Sequence, residues 1–163
     1  MISFLLVPVL FALSATAFAK PSKAPSRDKI TEIVLDDHPG LAAPPTPLNK
    51  IVLYADGRAV WLSGTTDNPV RRSGRFNDFV KLSALFEKKF FSFQSFYPLG
   101  PDVPFTDLEV VRAEQRKQIR FSHPDQPLEL WGLEMAVRGV ASTIKWQPST
   151  AIRPASKSKT AFP

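Results

Sequence analysis

The sequence predicts an α+β domain: an antiparallel sheet covered by two helices, built from a strand-strand-helix unit that occurs twice, with room for an extra N-terminal strand. Three observations carry this expectation. Prolines divide the middle of the chain into Pro-free windows at 49–68, 70–97, 105–123 and 128–147, and regular structure belongs inside such windows. The first and third windows each hold two short apolar-rich runs separated by a turn, as paired strands do. In the second and fourth, apolar residues recur at helical spacing.

In the first window, Ile51 to Ala55 and Arg58 to Leu62 flank Asp56-Gly57. An Asp-Gly pair supplies the positive φ that a two-residue type I′ hairpin turn demands. With Ala55 opposite Arg58, that turn would set Leu53 by Val60 and Ile51 by Leu62 on one face, and Tyr54 by Ala59 and Val52 by Trp61 on the other. The second window predicts a helix from about Asp78 to Phe90, capped by Asn77, with Lys88 and Lys89 at its C-terminal end. Phe79, Leu82, Phe86 and Phe90 form its apolar stripe, which Val80 and Leu85 widen. The third window repeats the hairpin over Asp107 to Ala113 and Lys117 to Ser122, with a turn near Glu114-Gln115-Arg116 that lacks glycine. The fourth opens at Pro127, a favoured first helical residue, and predicts a helix to about Ala141 or Ile144 with Leu130, Leu133, Val137, Val140 and Ile144 facing inward. Gly132 and Gly139 weaken that helix, so a close backbone approach is expected beside them. Ile30 to Leu35 supply the extra strand.

The chain has 163 residues and no cysteine, which excludes disulfides, thiolate-bound zinc, iron-sulfur clusters and a cysteine nucleophile. No metal and no cofactor is expected. Residues 2–13 form an uncharged apolar run, followed by small residues and Ala17-Phe18-Ala19 before Lys20. This is the pattern of a secretory signal peptide over 1–19, although its n-region carries no Lys or Arg. The competing reading is an uncleaved anchor, which Pro8 and the small residues disfavour. Cleavage leaves 144 residues, enough for one core, and a periplasmic or secreted location.

The net charge of +6 invites a nucleic-acid partner until it is counted by segment. Residues 20–29 carry +3 and 145–163 carry +4, while 30–144 hold 13 basic and 14 acidic side chains. The folded body is therefore near neutral, and no specific nucleic-acid partner is expected. Both ends are rich in Pro, Ser, Ala and Lys and predict a disordered linker over 20–29 and a disordered basic tail over 147–163, around a single domain at 30–146. Weak contact with anionic surfaces is the tails' one functional alternative.

The hairpin Ile51 to Trp61, the helix running into Phe90-Phe91, then Tyr97 and Asp102-Val103-Pro104-Phe105-Thr106, resemble an exported bacterial domain-of-unknown-function family numbered 6438. The likeness covers about 30–147. It implies export and an α+β fold, and it brings no assigned activity. The family's paired-cysteine segment before the hairpin is replaced here by His38 to Pro45, so no redox or metal role transfers.

Several constellations are candidates for chemistry. Asp36-Asp37-His38 join two carboxylates to an imidazole, but neighbours on an extended chain point apart, and a turn led by Pro39-Gly40 is the simpler reading. Asp102 and Asp107, in a Pro-bounded loop, are candidate acid/base carboxylates. His123-Pro124-Asp125 reads as a turn and helix cap. Arg71, Arg72 and Arg75 flank Gly74 before the first helix and are candidates for an anion site. Six of the twelve residues from Phe86 to Tyr97 are aromatic, better spent closing the core than lining a groove. No serine-hydrolase elbow, phosphate loop, dinucleotide fingerprint or zinc-protease motif occurs.

These readings favour an exported, noncatalytic binding module for a protein or envelope component, with Tyr54, Trp61 and Tyr97 as candidate contact aromatics. The alternative is an enzyme, a hydrolase using Asp102 and Asp107. A third reading gives the basic tail the role of binding acidic polymers.

Overall fold

Seven strands form one antiparallel sheet in the computed structural model, which describes residues 29–40, 44–97, 100, 102–113, 115–123 and 126–149. They are β1 (Ile30–His38), β2 (Pro47–Tyr54), β3 (Arg58–Thr65), β4 (Pro69–Arg75), β5 (Phe105–Arg112), β6 (Gln115–Phe121) and β7 (Gln147–Pro148). Two short helices, α1 (Phe79–Lys89) and α2 (Leu128–Thr143), interrupt the sequence after β4 and β6. The strand order is β6-β5-β1-β2-β3-β4-β7.

This corrects the expected fold class. Of the described residues 45% are strand and 27% helix, so the sheet is the main body, and a repeated strand-strand-helix unit under two covering helices does not describe it. Four strands precede the first helix. The unforeseen β4 has the sequence Pro-Val-Arg-Arg-Ser-Gly-Arg, which carries almost no apolar alternation and becomes a strand by pairing with β3 from Arg58↔Arg75 to Gly64↔Pro69. Strand β1 also runs past Leu35 to His38, through the expected turn. Residues 1–28 and 150–163, which include the expected signal peptide and most of the expected linker and tail, lie outside the described residues. Gln147 and Pro148, assigned to that tail, are β7.

The β2–β3 register differs from expectation by one residue. Leu53 faces Ala59, Val52 faces Val60 and Ile51 faces Trp61. The connection is a three-residue loop, Ala55-Asp56-Gly57, in which only Gly57 takes positive φ, at 80°. A turn that needs one left-handed residue replaces one that needs two, and a single-residue slip moves every side chain to the other face. The Asp56 carboxylate fixes the loop by accepting from the Arg58 backbone N–H at 3.0 Å.

On the inner face Ile33 and Leu35, Ile51 and Leu53, Ala59, Leu108 and Val110, and Ile119 and Phe121 meet Phe79, Leu82 and Phe86 of α1 and Leu130, Leu133, Val137 and Ala141 of α2. Val80 and Leu85 are 79% and 49% exposed, so they lie outside the stripe they were expected to widen. Phe90 is fully buried in a 3-10 turn, Phe90–Ser92, and Phe91, Phe93 and Tyr97 pack on the core while Phe96 is exposed. The Lys117 ammonium secures that turn by donating to the carbonyls of Phe91 and Phe93 at 2.8 and 2.6 Å. Burial lowers its pKa.

No neighbour lies within 4 Å of a Cβ built on Gly132 or Gly139, so the expected close approach is absent there. Alanine at either position is expected to stabilise the protein by about 0.5–1 kcal/mol through helix propensity alone, which urea unfolding would register. The close approach occurs instead at Gly74, where a Cβ would collide with Ile144. The absent side chain lets the link from α2 to β7 cross β4.

Both rims of the sheet are partly covered. On one, Ser149 donates its N–H to the Arg71 carbonyl at 3.0 Å beside the β4–β7 pairs, and Pro148 offers no N–H. On the other, Arg120 of β6 bonds through its backbone to Ser95 and Tyr97. None of the described helices is long and apolar enough to cross a membrane.

Candidate anion-binding cleft

Alternation along β4 decides where its arginines go. Arg71, Ser73 and Arg75 project from the outer face, and Arg72 projects from the inner face, opposite Trp61. The cluster expected from the sequence is thereby split. Arg72 stacks its guanidinium over the Trp61 ring at 4.9 Å and donates to the Ser63 hydroxyl at 3.0 Å. Arg71 and Arg75 instead line an open cleft of about 740 Å³ with Arg58, Ser73, Lys145 and Gln147. Four of the described lining residues are cations, and none is a carboxylate.

Arg58 lies directly across from Arg75, and like charges in that position repel. Asp56 relieves part of this, accepting from the Arg58 guanidinium at 2.5 Å. Hydrogen bonds from the Arg58 backbone and side chain, with the nearby Arg75 charge, lower the Asp56 pKa. Arg58 also sits over the Tyr54 ring at 4.9 Å, which places Tyr54 at the cleft's border. Among the described residues, Arg71, Arg75 and Lys145 make no ion pair.

The three candidate aromatics do not share a surface. Trp61 packs on the inner side against Trp146, with centroids 5.7 Å apart, and donates its indole N–H to Asn49 at 2.9 Å. Tyr97 lies half-buried against the core at the β6 rim. A second cavity of about 340 Å³ opens between Trp61 and Trp146, but its polar groups Asn49 and Arg138 are already engaged by Asp37.

The candidate carboxylates are separated in role. Asp102 is exposed in a left-handed turn at φ 61°. Asp107 is buried on the outer face, where Arg120 donates to its two oxygens at 2.8 and 2.7 Å. The His38 Nε2 is 3.2 Å from the same carboxylate, and its ring stacks on Phe105. Asp36 pairs with Lys50 at 2.9 Å on that face, whereas Asp37 points inward. Among the described residues no group of three or more His, Asp or Glu side chains could hold a metal ion.

Sequence reasoning missed the largest polar network. Arg138 of α2 donates to both oxygens of Asp37 at 3.0 and 2.7 Å and to Glu134 at 2.8 Å. Asn49 and Thr106 donate to the same Asp37 carboxylate, and the His123 Nε2 approaches Glu134 at 3.2 Å. The only signal was the i,i+4 spacing of Glu134 and Arg138; Asp37 is 101 residues away in sequence.

Burial is the largest influence on Asp37 and on Asp107 and pushes both carboxyls up. The hydrogen bonds and charge of Arg138, with Thr106 and Asn49, carry Asp37 net below its ordinary value of 3.8, as Arg120, Gln118 and His38 do for Asp107. A folded-state pKa below the unfolded one stabilises at higher pH and is lost on acidification. Stability is therefore expected to hold at neutral pH, fall as pH drops below about 3.8, and keep falling through the lower folded-state values. Denaturant midpoints from pH 7 to pH 2 test this, and the D37N/D107N variant should show a shallower acid slope.

No protein-family model matches the chain, and a search of curated proteins finds no match.

Proposed function

We propose that this protein is an exported, noncatalytic binding module that takes an anionic envelope or extracellular component in the cleft of Arg58, Arg71, Arg75 and Lys145. Export rests on the apolar leader and Ala17-Phe18-Ala19. The supporting observation is a contrast in charge satisfaction. Asp37, Asp107 and Glu134 are consumed by internal partners, while Arg71, Arg75 and Lys145 face an open cleft and, among the described residues, make no ion pair. Guanidinium groups lining a concavity suit carboxylate, phosphate or sulfate.

Residue-resolved NMR titration of the full chain with orthophosphate and with citrate tests the reading. Saturable shifts are expected at Ser73, Gly74, Arg75 and Lys145, and they should vanish in R71Q/R75Q. Shifts confined to residues 150–163, or none, would refute it.

A further inference from the structure

We infer that the cleft's ligand is an extended acidic peptide that lies along β4, with carboxylates four residues apart reaching Arg71 at one end and the Arg75–Arg58 pair at the other. This rests on the reading of the cleft as an anion site. Side chains on one face of a strand recur every second residue, so Arg71 and Arg75 stand about 13 Å apart. One small anion reaches only one of these ends. An extended peptide has the same repeat as β4 itself, so its first and fifth side chains fall in step with the two cationic positions. Between them, Ser73 and Gln147 present neutral hydrogen-bonding groups at the middle of the cleft.

The charge distribution on the outer face fixes the track. Glu32 and Asp36 of β1 and Asp107 and Glu109 of β5 share that face in the centre of the sheet, and Asp36, Asp107 and Glu109 are paired with Lys50, Arg120 and Arg116. With its cations engaged in these pairs, the centre of the sheet offers an acidic ligand no free partner, and the ligand is drawn to the β3–β4–β7 side. Because β7 pairs with the middle of β4 at Arg72 and Ser73, recognition comes from side chains in the cleft and not from an added strand.

The test compares two peptides of identical composition on the full chain, one with two glutamates at positions one and five and one with them at positions one and four, spaced by serine and glycine. In an extended chain the second arrangement points its carboxylates to opposite sides. The one-and-five peptide is expected to bind about tenfold more tightly. R71Q and R75Q should each erase that preference while leaving the thermal unfolding midpoint near that of the wild type. Equal affinity for the two peptides overturns the inference, since attraction to the basic tail does not depend on spacing. Polyphosphate or orthophosphate binding at Arg75 and Lys145 without any peptide binding also overturns it, yet leaves the anion-site reading intact. If no anion perturbs the cleft, both fall.

Discussion

Replacing Arg138 with alanine is expected to destabilise the fold by about 3–5 kcal/mol, the cost of stranding buried charges whose partner is removed. Glu134 is 1% exposed and keeps only His123, whose side chain is half in solvent. Asp37 loses both guanidinium bonds and falls back on Asn49 and Thr106. Its side chain is 25% exposed, which places the expectation toward the lower end of that range. Urea unfolding measures the loss. A loss under about 1 kcal/mol would show that the carboxylates are hydrated or protonated without cost. The triple variant D37N/E134Q/R138M should recover much of the loss, because neutral groups of similar volume leave no buried charge behind.

Phe86→Ala should cost about 3–5 kcal/mol, the usual range for emptying a buried aromatic site. Phe86 is 0% exposed in α1, and its ring lies 5.4 Å from that of the fully buried Phe90. Phe86 belongs to the buried cluster that joins α1 with the sheet and α2, so little can move into the void. Phe86→Leu should cost appreciably less. If both substitutions were equally mild in calorimetry, the helix–sheet interface would be looser than the burial of its residues implies.

The parts of the fold that were legible in the sequence are those governed by local rules. The two helices follow from apolar spacing, with Phe79, Leu82 and Phe86 in one and Leu130, Leu133 and Val137 in the other, all buried. The strands around Gly57 follow from turn chemistry. Their register does not, because Asp-Gly serves a two-residue and a three-residue loop equally well and only the backbone shows which φ angles are positive. Strand β4 was illegible for a deeper reason: its polar sequence acquires strand geometry from β3, a tertiary cause that outweighs propensity. The cleft was half legible. Arg71 and Arg75 stood out as a basic cluster, but Arg72 could be assigned to the opposite face only once β4 was known to be a strand. Arg58 and Lys145 reach the cleft through pairing and through the crossing at Gly74, neither of which leaves a local trace.

The partly covered rims bear on how such a molecule survives in a crowded compartment. A flat sheet with a free margin recruits copies of itself, and the proline of β7 and the Ser95–Tyr97 segment blunt both margins here. The outer surface can then keep unneutralised arginines on display without inviting fibrous self-association. Turning Pro148 into a residue with an amide hydrogen would reopen a docking rail alongside those arginines, coupling a loss of solubility to the proposed recognition cleft.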